Sequence, residues 1–297
     1  MLSSKKILPS EIISRLNNLS LKARFVVEGF IIGLHRSPYH GFSVEFSEHR
    51  PYGIGDEIRK IDWKLWGKTD RYFVKQFEEE TNLKSYILID KSKSMGYTSG
   101  ENTKLNYAQL LAASLSYLML KQQDAVGMTL FDDQIRQYIP PRSKRTHLNV
   151  LLSQMEKIKA GNQTKIAPIL HKTAEIIKKR GLIILISDLF DSQNEVLSGL
   201  KHFRYKGHEV LVFHILDNQE LKLNFSKITR FKDMESGEEI ITEPWHINAD
   251  YQKNVNKLCD HYKIQCRKNK IDYVRLVTNT PLDLALYEYL LKRKKIF

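Results

Sequence analysis

A doubly wound α/β fold, with a mostly parallel sheet and helices on both faces, is what the sequence predicts for residues 83–297. Two observations predict it. From Leu83 onward, short apolar runs alternate with segments of helical period. One of those runs, LIILIS at 182–187, is almost continuously Ile and Leu, the composition of a central strand covered on both faces. In chain order the strands fall at 84–90, 125–131, 134–139, 182–187, 209–216 and 271–277. The clearest helix is 105–121, where Leu110, Leu111, Leu115, Leu118 and Met119 are spaced for one buried face; helices at 146–159, 166–180, 192–205, 249–268 and 282–293 follow. Residues 222–243 read as a hairpin excursion turning at Ser236-Gly237.

Residues 1–82 form a separate, small α+β unit. It opens on PSEIISRLNNLSL, an amphipathic helix with Ser10 near its start and Ile12, Ile13, Leu16 and Leu19 on one side. Its second half carries a dense polar and aromatic cluster: Arg50, Tyr52, Gly53, Gly55, Asp56, Arg59, Asp62 and Trp63. The glycines mark a turn that lets charged groups approach, and Asp56 and Arg59 are placed to pair. Ion-paired packing is the favoured role for this cluster, with a partner surface as the alternative; Trp63 and Trp66 are expected as core anchors.

Composition narrows the class. At 42% apolar and 27% charged, the 297-residue chain suits a soluble globular protein. No stretch approaches 18 uncharged apolar residues, and the charged N-terminus lacks a secretory core, so a cytoplasmic location without a transmembrane segment is expected. Cys259 and Cys266 read as reduced thiols. The net charge of +13 is spread out: residues 1–82 hold 13 basic and 11 acidic side chains, and the rest of the excess is scattered. Its densest cluster, the terminal LLKRKKIF, reads as a last helical turn whose cations complement the helix dipole, which argues against a specific nucleic-acid partner.

The chemistry gathers at strand ends. In YILIDKSKSM an apolar run ends in Asp90, followed by hydroxyls at alternate positions, Ser92 and Ser94. One carboxylate and two hydroxyls on a tight loop supply three converging oxygens, the ligand type that Mg²⁺ requires. Asp188 ends the LIILISD run, and in open parallel sheets ligand sites form beyond the carboxyl ends of the strands, so both aspartates face one crevice. Thr164, just before the helix that returns the chain to the Asp188 strand, reaches the same edge. With two neutral hydroxyls in place of a second carboxylate, a bound cation would seek an acidic ligand from outside the chain.

Asp90, Ser92, Ser94, Thr164 and Asp188 resemble the metal-ion-dependent adhesion site (MIDAS) of von Willebrand factor A domains, in that family's order and strand positions. The segment from Glu45 to Glu80, with HRSPYHG at 35–41 and QQDAVGMTLF at 122–131, resembles the bacterial family called domain of unknown function 58. That resemblance implies a von Willebrand factor A-like core and a binding role for Mg²⁺ or Mn²⁺. Ser92, Ser94 and Thr164 would bind the cation directly, the two aspartates would act through waters, and a partner's acidic side chain would fill the open position. It also implies a MoxR-type AAA+ ATPase, or a client of one, as partner in assembly or chaperone-like maturation. Lys91 and Lys93 intervene in the loop, either weakening the cation or pointing away to attract an acidic partner. Two other functions compete: metal-dependent phosphotransfer with Asp90 as nucleophile, and binding of anionic surfaces or nucleic acid. Phosphate-cradling, dinucleotide-binding, zinc-protease and serine-hydrolase motifs are all absent from the sequence.

Overall fold

The computed structural model describes residues 18–36, 49–51, 53, 63, 66–67, 70–75, 83–161, 165–234 and 237–296. The chain divides into two units, one of Met1–Ile31 with Leu83–Phe297 and the other of Ile32–Asn82. Helix α1 (Leu19–Arg36) begins in the first and ends in the second, and buries Ala23, Val27 and Phe30. The amphipathic segment expected before it lies outside the described residues, apart from its last positions.

In the small unit, strand β1 (His49–Pro51) pairs antiparallel with β2 (Phe73–Lys75), Arg50 opposite Val74. Tyr52, Gly55, Asp56, Arg59 and Asp62 lie outside the described residues, as does the expected Asp56–Arg59 pair. The core-anchor expectation for the tryptophans is corrected: Trp63 is 54% and Trp66 37% exposed. They meet edge to face at 6.1 Å, and Trp66 stacks on exposed Tyr72 at 6.0 Å, so these rings cover one another at the surface.

The large unit continues with β3 (Lys84–Asp90), α2 (Lys104–Lys121), β4 (Ala125–Phe131), β5 (Ile135–Arg142), α3 (His147–Met155), α4 (Ile166–Ile176), β6 (Leu182–Ser187), α5 (Gln193–Tyr205) and β7 (Glu209–Leu216). It closes with α6 (Asn218–Lys222), the β8 (Thr229–Lys232) and β9 (Glu239–Thr242) hairpin, α7 (Pro244–Lys268), β10 (Asp272–Val277) and α8 (Asp283–Ile296). Six strands form one sheet in the order β10-β7-β6-β3-β4-β5, parallel except for the β4–β5 pair. The chain therefore winds outward from β3 in one direction through β4 and β5, and in the other through β6, β7 and β10. This is a doubly wound arrangement, and its switch point falls between β3 and β6.

Alternation along the strands sends side chains to two buried layers. Tyr86, Leu88, Ile183, Leu185, Val210 and Val212 join a cluster completed by residues of α4, α5 and α7, including Leu170, Phe203 and Tyr262. Ile87, Ile89, Ile184 and Ile186 are equally buried on the opposite parity, the side on which α2 packs against the sheet. Cys259 and Cys266 are buried thiols of α7, not a disulfide.

Several boundaries move for local reasons. The strand expected at 134–139 runs to Arg142, carrying Pro140 and Pro141 where the sheet is at its edge and the β4–β5 register is irregular. The helix expected from 249 begins at Pro244, whose fixed φ suits a first helical turn. Helices α3 and α4 stop at Met155 and Ile176, short of 159 and 180. The short helix α6 has no counterpart among the expected elements; Asp217 accepts from the Gln219 amide and Glu220 accepts from the Asp217 amide, a reciprocal cap that sustains a single turn. In the 222–243 excursion the expected hairpin is present, with Gly237 at φ 78° in its turn, while Ser236 lies outside the described residues.

Candidate metal centre at the carboxyl edge of the sheet

Asp90 is the last residue of β3 and Asp188 follows β6, so the two carboxylates flank the switch point, buried at 0% and 1% exposure. Asp90 is locked in place. Its Oδ1 accepts from the Ser92 amide at 2.8 Å and its Oδ2 from Ser187 Oγ at 2.6 Å. Ser187 in turn accepts from the Leu189 amide at 3.0 Å, a turn made possible by Leu189 sitting at φ 55°, in the left-handed region that a leucine adopts only when its surroundings demand it. Burial, and then the charge of Asp188, push the Asp90 carboxyl up to about 7, although Ser187 and Ser92 oppose the shift.

Ser92 is buried and Ser94, at the start of a 3₁₀ turn, partly so. Their Oγ atoms lie 3.1 Å apart and share a hydrogen bond, with either hydroxyl able to donate. Two oxygens at right angles about a Mg²⁺ ion, each about 2.1 Å from it, would be separated by about 3.0 Å. The spacing therefore suits adjacent ligands of an octahedral cation. Among the described residues no group of three or more His, Cys, Asp or Glu side chains is placed to hold a metal ion, so a cation here would depend on hydroxyl oxygens.

Thr164 lies outside the described residues, but the chain on either side of 162–164 is tied to the two loops in question. The Gly161 amide donates to the Lys91 carbonyl at 2.7 Å, and the Ile166 amide to Asp191 Oδ2 at 2.8 Å. The intervening lysines diverge: Lys91 Nζ lies 3.7 Å from Asp132 Oδ2, and Lys93 is exposed.

Three further residues complete the edge. Ser187 is one. The others are Lys104 and Glu220: Lys104 Nζ, with no side-chain exposure, donates to Asp188 Oδ2 at 2.8 Å and to Glu220 Oε1 at 2.6 Å. Burial alone would lower the Lys104 pKa, but Asp188 and Glu220 outweigh it and hold the ammonium charged. Lys104 had a sequence signal: it opens a helix capped by Thr103, where a cation opposes the helix dipole and needs a compensating partner. Beside Ser94 opens a cavity of about 420 Å³, lined on its apolar side by Tyr97, Phe190, Phe225, Phe231 and Tyr251.

The family described as Protein of unknown function DUF58 matches residues 48–258, and the chain belongs to it. An uncharacterized protein, Rv1480, of Mycobacterium tuberculosis is 25% identical over 225 residues, 75% of this chain and 70% of its own length. Among solved structures the chain is similar to a conserved hypothetical protein, BatB, from Bacteroides thetaiotaomicron (19% identity, TM-score 0.49, 72% of this chain and 99% of that one). It is also similar to an aerotolerance-related membrane protein from Bacteroides fragilis (17% identity, TM-score 0.48, 71% and 99%). No helix among the described residues is long and apolar enough to cross a membrane.

Proposed function

We propose that this chain is a metal-ion-dependent protein-interaction module. In this reading Ser92, Ser94 and Thr164 hold Mg²⁺ or Mn²⁺ directly, Asp90 and Asp188 act from behind them, and an acidic side chain of a partner protein completes the coordination. The cation would supply a fixed positive charge with one exchangeable position. The observation that carries the reading is the pair of hydroxyl oxygens 3.1 Å apart over a buried, doubly hydrogen-bonded Asp90. Ser187 and the Ser92 amide orient Asp90, and burial of both aspartates keeps bulk water away from the inner side of the loop. A MoxR-type AAA+ ATPase, or its client, is the partner implied by family resemblance, and the aromatic cavity beside Ser94 gives a docking segment an apolar wall. The phosphotransfer alternative fares worse, because both oxygens of Asp90 are already engaged and the side chain is inaccessible to a phosphoryl group.

Titration of the wild-type protein with Mn²⁺, followed by calorimetry or by the loss of the free-ion EPR signal, is expected to show one site. Asp90→Ala and Ser94→Ala are both expected to abolish it with the fold intact by circular dichroism; unchanged binding in both variants would sink the reading. Affinity capture in Mg²⁺ and in excess chelator then asks for a partner retained by the wild type only with the metal, and not by Asp90→Ala.

A further inference from the structure

At the carboxyl edge Lys104 bridges two carboxylates, Asp188 and Glu220, and Asp188 in turn neighbours Asp90 closely enough for its charge to act on it. Lys104 is anchored from three directions. Asp188 and Glu220 each accept from it, and the rings of Phe190 and Tyr97 lie 5.0 and 6.0 Å from Nζ. Glu220 is itself fixed, since its other oxygen accepts from the Asp217 amide as part of the α6 cap. A lysine so buried, placed against the helix dipole, is retained at a cost that only its anions offset. A divalent ion at Ser92 and Ser94 would enter the same field and depend on the same Asp188.

We infer that Lys104 is the resident counter-cation of this centre: its ammonium occupies Asp188 when no divalent ion is bound, and so sets the affinity at which one binds. The inference rests on the reading that Ser92 and Ser94 hold a divalent ion. Replacing the ammonium by an apolar side chain leaves the carboxylates facing one another, so the protein without metal loses stability and the divalent ion gains a binding site of more negative charge.

The test uses Mn²⁺ alone as probe, on the full chain. Lys104→Met is expected to bind it at least tenfold more tightly than wild type and to show a larger rise in melting temperature on adding it. Lys104→Arg, which keeps the charge, stays near the wild-type affinity. Should Lys104→Met fail to fold, the double variant Lys104→Met/Glu220→Gln removes one cation and one anion together and is expected to bind at least tenfold more tightly as well. Adding Asp90→Ala to either variant abolishes the gain, which ties it to this centre. Affinity equal to or weaker than wild type in the folded variants overturns the inference while leaving the metal reading standing. Absence of Mn²⁺ binding in every protein, wild type included, overturns the metal reading and this inference with it.

Discussion

Leu185→Ala is expected to lower the stability of the large unit by about 2–5 kcal/mol, the range for truncating a fully buried leucine. Leu185 has no exposure and sits on β6, hydrogen-bonded on one side to β3 and on the other to β7. Its cluster joins Leu88 and Val212 of the neighbouring strands to Leu170, Leu200 and Phe203 of the covering helices. A cavity opened there has few routes of collapse, because hydrogen bonds fix the backbone on both sides. Urea unfolding with an unchanged m-value measures the loss. Leu185→Met, which nearly conserves volume, is expected to cost less than about 1.5 kcal/mol. A loss below about 1 kcal/mol for the alanine would mean that the β6 core is not packed as described.

The second large effect is on pH dependence. His214 is wholly buried on β7, with Nδ1 2.6 Å from the Tyr273 hydroxyl, and burial pushes its pKa down to about 4 although Asp188 nearby works the other way. In the unfolded chain the same ring titrates at about 6.5. As pH falls through that value the unfolded state takes up a proton that the folded state refuses until about pH 4. The sign follows: this histidine makes stability fall with falling pH across that window, by about 2 kcal/mol between pH 7 and about 4.5. Asp90 acts oppositely, since its raised pKa favours the folded state on the acid side. Comparison with His214→Phe therefore isolates the histidine. Denaturant midpoints at the two pH values should separate less in the variant than in wild type, and equal separation would exclude His214 as the titrating group.

Much of this architecture is written locally in the chain. The strands at 84–90, 125–131, 182–187 and 209–216 are bounded as expected, because a strand covered on both faces is an uninterrupted apolar run. Helix ends are harder to place, since the last turn depends on capping more than on periodicity. Helix α6 shows the difference: one turn has no periodicity to detect, and only the Asp217-x-x-Glu220 spacing announces it. At the candidate centre, Asp90, Ser92, Ser94 and Asp188 are legible from alternation and from position at strand ends. Ser187 is hidden as an ordinary strand residue. Lys104 stands out only as a cation at a helix start; its pairing with Glu220 is hidden because the two lie 116 residues apart, which no window on the sequence spans.

The paired prolines of β5 bear on how other proteins can engage this one. A strand at the margin of a sheet normally offers a row of amide hydrogens on which a foreign chain can lengthen the sheet, yet Pro140 and Pro141 have none, and the register irregularity beside them bends what remains. Growth of the sheet by strand addition is blunted along this margin. A binding partner gains little there by extending the backbone ladder.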